Sequence, residues 1–240
     1  MPTPVKIPVV VEEILQHTDS LKTLVLRPLK RVPNFRPGQF LHLAIDPYDP
    51  SFNWPESRVF SIANSPTRRD LLSVIFSVKG AFTTRMFHTL REGDNLWVKL
   101  PYGSFTFPDD AAAVVLIAGG TGITPFLSYL QYAVDRGLES NITLYYGIRS
   151  AAHLVGDPAL HEAEERLARF RWHLFLEEGD GAGIAVRGPG YVPIGTVLQE
   201  TADLNAAYYL AGPPLMITAF RSEMLQAGIT KDRIMVDEWE

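Results

Sequence analysis

The chain has 240 residues, 46% of them hydrophobic and 20% charged, with a formal net charge of −5 and no cysteine. That length holds one large domain or two of ordinary size with ample core. The missing thiols exclude a disulfide framework and any cysteine-ligated zinc or iron–sulfur centre within these residues. The histidines at 17, 42, 88, 153, 161 and 173 lack metal-ligand spacing, so no metal is expected. No apolar run reaches the roughly eighteen residues of a membrane span, and the opening Met1-Pro2-Thr3-Pro4-Val5-Lys6 has no secretory pattern, so a cytoplasmic protein is expected.

Residues 6–15, 22–26, 39–45, 58–63, 71–78 and 95–100 read as strands rich in Val, Ile, Leu and Phe. Turn residues such as Arg36-Pro37-Gly38, Asn64-Ser65-Pro66 and Glu92-Gly93-Asp94 separate them. Six strands at this spacing predict a small antiparallel β-barrel. One helix, 83–90, interrupts them, with Met86, Phe87 and Leu90 on its inner face. After Pro108-Asp109-Asp110 the rhythm changes. Strands at 113–118, 142–146, 171–176, 207–210 and 233–236 alternate with helices at 124–134, 158–168, 195–199 and 215–226. Continuous apolar strands between helices predict an α/β doubly wound parallel sheet. Domains of 1–108 and 109–240 follow.

Charge divides at the same place. Residues 1–108 carry 13 Lys/Arg against 9 Asp/Glu, or +4, and residues 109–240 carry 9 against 18, or −9, which together give −5. So small and scattered a basic excess argues against nucleic acid as a partner. It fits either two ordinary solvated surfaces or a dipolar molecule that orients a charged protein partner. A monomer is expected.

Three segments carry chemistry. Arg58-Val59-Phe60-Ser61-Ile62-Ala63-Asn64 puts a cation, a ring and a hydroxyl on one extended stretch. Strand alternation sends Arg58 and Phe60 to one face and Ser61 to the other unless the strand bends. Ser77-Val78-Lys79-Gly80-Ala81-Phe82-Thr83-Thr84 opens the helix with backbone N–H groups and two hydroxyls, an anion site suited to a pyrophosphate. Ala118-Gly119-Gly120-Thr121-Gly122-Ile123-Thr124-Pro125 is a glycine turn between strand and helix. It is neither G-x-G-x-x-G nor a phosphate loop ending in Gly-Lys, and by itself it reads equally well as a tight connection. Pro125 suits a first helical turn, where its missing N–H costs nothing.

The order of these parts resembles the ferredoxin–NADP(+) reductase superfamily, from Arg36-Pro37-Gly38-Gln39-Phe40 to Asp237-Glu238-Trp239. The resemblance implies that Arg58 binds flavin phosphate, Phe60 stacks on the isoalloxazine, and Ser61 hydrogen-bonds near the hydride-accepting nitrogen. Ser77, Val78, Lys79, Gly80, Thr83 and Thr84 line the rest, and the helix start implies FAD rather than FMN. Gly120, Thr121, Gly122 and Thr124 face the NAD(P)H phosphates. Gly147 and Arg149, in Tyr146-Gly147-Ile148-Arg149, lie on the adenosine side, and Ala211, Gly212 and Pro213 approach the nicotinamide. Trp239 either covers the flavin or closes the core edge, and Glu238 either relays protons or is a surface carboxylate. Two residues depart from the family. Phe60, usually Tyr, loses one hydrogen bond of about 1 kcal/mol to the flavin. Ala211 stands where many relatives have Cys, leaving room but no polarizable group beside the nicotinamide.

The implied activity is an NAD(P)H-dependent flavoprotein reductase passing a hydride to FAD and then single electrons to a separate acceptor protein, an acidic one such as a ferredoxin. NADH against NADPH stays open, because Arg149 could hold a 2′-phosphate whereas Glu177, Glu178 and Asp180 would repel one. Rival readings are a regulatory or electron-transfer flavoprotein subunit, a reductase of free flavin, and a nucleotide-binding module without flavin.

Overall fold

The computed structural model describes residues 3–181, 183–201 and 205–237. The chain divides into two compact units, one ending at Phe107 and the other beginning at Pro108.

The first unit holds β1 (Val5–Gln16), β2 (Leu21–Pro28), β3 (Phe40–Ala44), β4 (Arg58–Ser61), β5 (Leu72–Ser77), α1 (Ala81–Thr89) and β6 (Asn95–Tyr102). Its strands form one antiparallel sheet in the order β4-β3-β6-β1-β2-β5. The two ends of that order meet, because Ala63 N–H, just past β4, donates to Ser73 O in β5 at 2.8 Å. This is the expected barrel, nearly closed. Period-two alternation turns Ile7, Val9 and Val11 of β1 inward to meet Leu24, Leu26, Leu41 and Leu43. Helix α1 adds Phe82, Met86 and Phe87 to the same core.

Two boundaries differ from the periodicity. Strand β4 stops at Ser61: Ile62 N–H still bonds in the β3 register to Gln39 O at 3.0 Å, but the next amide, Ala63 N–H, crosses to β5. Helix α1 begins at Ala81, two residues early, behind an extended Gly80. A glycine offers no side-chain cap, so the turn is closed from inside: Thr83 Oγ1 accepts from Lys79 N at 2.9 Å and Gly80 N at 3.1 Å.

The second unit holds β7 (Ala113–Gly119), α2 (Thr124–Arg136), β8 (Asn141–Ile148), α3 (Asp157–Arg166), β9 (Phe170–Leu176), β10 (Gly188–Pro189), α4 (Ile194–Glu200), β11 (Ala207–Ala211), α5 (Pro214–Gln226) and β12 (Ile234–Val236). All pairings are parallel, in the order β10-β9-β8-β7-β11-β12. Val114 to Gly119 are buried without a break, as a strand covered on both faces must be. Helix α2 ends where Gly137 takes φ +62°, a left-handed C-cap. Strand β10 carries no apolar pattern, and only its pairing with Phe175 and Leu176 makes it a strand.

Candidate functional site

In the first unit, β4 and α1 bring Arg58 to the helix start, while Phe60 and Ser61 lie on opposite sides of β4. Phe60 sits opposite Leu41, and Arg58 opposite Leu43, both fully buried partners, whereas Ser61 sits opposite Phe40. Strand β4 therefore keeps its alternation, with Arg58 and Phe60 on the core-facing side and Ser61 on the other. Phe60 is half-buried against the core and meets Phe76 edge-on, ring centroids 6.2 Å apart. Arg58 reaches the start of α1, its guanidinium carbon 4.9 Å from the centre of the Phe82 ring. The resemblance implied that both would meet the flavin phosphates, but not the contact with Phe82, since β4 and α1 lie twenty residues apart and only the folded barrel juxtaposes them.

Arg58 also bonds to Glu56 Oε1 at 2.8 Å, a partner sequence reasoning missed although it stands only two residues upstream, in the bend before β4. Both side chains are half-exposed, so the pair is worth about 0.2–1 kcal/mol. A bidentate phosphate contact is stronger and can displace it. The start of α1 has no side-chain cap, and a Cβ at Gly80 would meet nothing within 4 Å. An uncapped helix start beside a guanidinium fits a phosphate group. Ser77 and Val78 are half-buried at the end of β5, Lys79 and Thr84 are exposed, and the Thr83 hydroxyl is turned back into its own turn. A cleft of about 600 Å³ in this unit is lined in part by Arg36, Gln39, Gly103 and Ser104. It adjoins the end of β4 through the Ile62–Gln39 bond. These groups suit a ring with phosphate attached, so the residues present fit a flavin.

The second unit changes the direction of its winding at β7. From there the chain runs outward to β8 and β9, then returns to place β11 on the other side. Such a switch point opens a crevice at the carboxyl ends of the two central strands. Both glycine-rich breaks lie there, one against the other. A Cβ on Gly122 would overlap the Ala211 carbonyl and come within 2.6 Å of Gly212 N. One on Gly119 would lie 2.7 Å from Pro213 Cδ, and one on Gly212, itself at φ +150°, would lie 2.9 Å from Gly119 N. Gly120 differs, with φ +54° and open space around it. Met216, on the first turn of α5, packs onto Gly119 and Gly212, another neighbour the sequence did not signal.

Thr121 is half-buried, and Thr124 is buried with its hydroxyl donating to Thr121 O at 2.7 Å. The pair locks the turn that leads into α2. Gly147, next to last in β8, pairs with Gly119, and a Cβ there would lie 3.1 Å from Val192 Cγ2. Arg149 is exposed, and its Nε donates to Glu178 Oε1 at 3.1 Å. Ala211 and Gly212 are buried and Pro213 is exposed. A crevice whose floor is backbone, at the start of a helix, fits a nucleotide diphosphate. The expectations for Glu238 and Trp239 lie outside the described residues. Among the described residues, no cluster of His, Asp and Glu is placed to hold a metal, and no helix is long and apolar enough to cross a membrane.

The oxidoreductase NAD-binding domain family matches residues 116–222, inside the second unit. Over 238 residues the chain is 30% identical to the reductase component of propane 2-monooxygenase from Mycolicibacterium smegmatis, covering 95% of this chain and 66% of that protein. It is 32% identical over 213 residues to the ferredoxin–NAD(+) reductase component of the alkene monooxygenase system of Xanthobacter autotrophicus, covering 86% and 62%. The chain thus spans just under two thirds of the length of these relatives. Among solved structures it superposes on an Amycolatopsis cytochrome P450 reductase with a TM-score of 0.84 and 25% identity, over 98% of this chain and 70% of that one.

Proposed function

The chain belongs to the ferredoxin–NADP(+) reductase-like superfamily, and on that premise we propose that it is an NAD(P)H-dependent FAD oxidoreductase serving a separate one-electron acceptor protein. The observation that carries the reading is the convergence of Arg58 on the uncapped start of α1. A cation beside a helix start with no N-cap side chain supports a pyrophosphate bridging the two. When bound, the flavin supplies a ring that accepts a hydride and releases electrons one at a time. Phe60 would support that ring by stacking, and Ser61, on the other side of β4, would donate its hydroxyl at the ring's edge. Gly122 and Gly212 let the nicotinamide nucleotide approach backbone at the switch point.

The proposed donor is NADH. Arg149, the side chain that would hold a 2′-phosphate, is already bound to Glu178, with Glu177 and Asp180 exposed beside it. A phosphate dianion would have to displace one carboxylate and face two more. The +4 charge of residues 1–108 suits an acidic acceptor, a ferredoxin in chemical class, in a cytoplasmic setting. The visible spectrum of the purified protein tests the reading. Yellow protein bleached rapidly by NADH is the expected result, and FAD should be released on denaturation. Protein that stays colourless after addition of FAD and FMN sinks it, and yellow protein bleached by neither nicotinamide favours a regulatory flavoprotein subunit.

A further inference from the structure

We infer that Trp54 is a positioning residue for Arg58, fixing the turn from which the guanidinium reaches the start of α1. The inference rests on the proposed flavin site and extends it back along the segment that delivers Arg58 to β4.

Residues 45–57 connect β3 to β4 without regular structure. Connections of this kind are the more mobile parts of a fold, and a mobile one would carry Arg58 with it. Here the connection is pinned to the barrel wall. In the pairing of β1 with β6, Ile7 and Val98 face the core, so Lys6 and Trp97 project from the other side. Tyr48 stands nearly perpendicular to Trp97, ring centroids 5.1 Å apart, and Trp54 meets Tyr48 at 5.2 Å. Lys6 hydrogen-bonds to the Tyr48 hydroxyl, and its ammonium lies 4.8 Å from the centre of the Tyr48 ring and 5.9 Å from that of Trp54. The Tyr48 hydroxyl donates in turn to Phe52 O at 3.3 Å, which closes the loop on itself. At its start, Asp46 is tied to Arg85 of α1 at 2.7 Å. Rings and charges therefore hold the loop from both ends.

From the seated indole a short path of hydrogen bonds leads to the guanidinium. Trp54 Nε1 donates to Ser57 Oγ at 2.9 Å. Ser57 immediately precedes Arg58, and its carbonyl oxygen accepts from Arg58 Nη1 at 2.9 Å while Glu56 accepts from Nη2. Pro55, inside the same turn, has its φ fixed by its ring. The indole thus sets the peptide onto which the guanidinium folds, and that guanidinium lies over Phe82 at the helix start. A free arginine side chain samples many rotamers and loses them on binding an anion. An arginine already held beside the anion site loses fewer, which raises affinity without adding a contact to the ligand.

Titration of the purified, flavin-stripped protein with FAD tests this. Trp54→Phe keeps a ring against Tyr48 and removes the N–H, and Ser57→Ala removes its acceptor. Each should raise the FAD dissociation constant by about twofold to tenfold, the value of one hydrogen bond, and the double variant by no more than either alone. A residue that works through Arg58 has no effect without it. In an Arg58→Ala background, Trp54→Phe should therefore leave the FAD dissociation constant where Arg58→Ala put it. Wild-type affinity in both Trp54→Phe and Ser57→Ala would overturn the inference. So would an equal loss with and without Arg58, which marks a general loosening of the loop. Full-strength FAD binding by Arg58→Ala alone would overturn the role proposed for Arg58, and the positioning role with it. Should Trp54→Phe fail to fold, Ser57→Ala carries the same comparison, since it removes only a half-buried hydroxyl.

Discussion

The two proposed cofactor regions are built from different materials. At the switch point of the parallel sheet, Gly119, Gly122 and Gly212 bring two loops so close that backbone lies against backbone. At the edge of the barrel, Arg58, Phe60 and Ser61 project from an ordinary strand, Arg58 toward the start of a helix and Ser61 from the strand's other side. A site made of backbone excludes even one added methyl, so its chemistry and its fold fail together. A site made of half-exposed side chains can lose its chemistry while the strand beneath it survives.

Substitutions in the two regions sharpen this contrast. Gly122→Ala should have the largest effect, since its Cβ would fall on the Ala211 carbonyl; such overpacking costs about 3 kcal/mol. A lowered melting transition with lost nucleotide binding is expected, and unchanged melting would mean that the loops are not interlocked. Arg58→Ala should weaken flavin binding by about tenfold or more, the value of a charge-assisted contact of ~1.5–3 kcal/mol. Melting of the flavin-free protein should stay within about 0.5 kcal/mol of wild type, because the side chain is half-exposed. Flavin retained at full strength would remove Arg58 from the site.

Smaller effects separate conformation from crowding. Gly120→Ala places a side chain at φ +54° in open space, so only the left-handed backbone penalty of about 1–2 kcal/mol applies. Denaturant titration should rank it clearly below Gly122→Ala, and equality would show that crowding at Gly122 is relieved. Phe60→Tyr should tighten flavin binding about fivefold by adding one hydrogen bond of ~1 kcal/mol, read from the flavin dissociation constant. Glu178→Gln should loosen Arg149 and improve KM for NADPH by up to about fivefold relative to NADH, the upper value of an exposed ion pair worth ~0.2–1 kcal/mol. An unchanged ratio would mean that Glu178 does not govern the preference.

Much of the architecture was legible because strand and helix periods are local. The change of rhythm after Pro108 separated an antiparallel barrel from a parallel doubly wound sheet, and each long strand and helix lies within a few residues of its expected place. The errors fall where backbone bonds reach elsewhere. Strand β4 is shorter than its apolar run because Ile62 and Ala63 bond to different neighbours. Strand β10 has no pattern of its own and exists only against β9. The candidate site was legible as residue types. Its hydrogen bonds were not, since Thr83 and Thr124, expected to face phosphates, turn their hydroxyls onto their own turns.

By itself, the sequence determined two units of opposite charge, the glycine breaks after apolar strands, and the cation, ring and hydroxyl on one strand. These depend on composition and on spacing over a few residues. Tertiary structure alone decided that Gly122 meets Ala211 and Gly212 about ninety residues later, that Arg58 rests on Phe82 beside an uncapped helix, and that Arg149 is held by Glu178. It also seated the Tyr48 and Trp54 rings against Lys6 and Trp97 of the barrel wall. Each of these contacts is set by which strands lie side by side. Strand order comes from packing the whole sheet, and no local period encodes it.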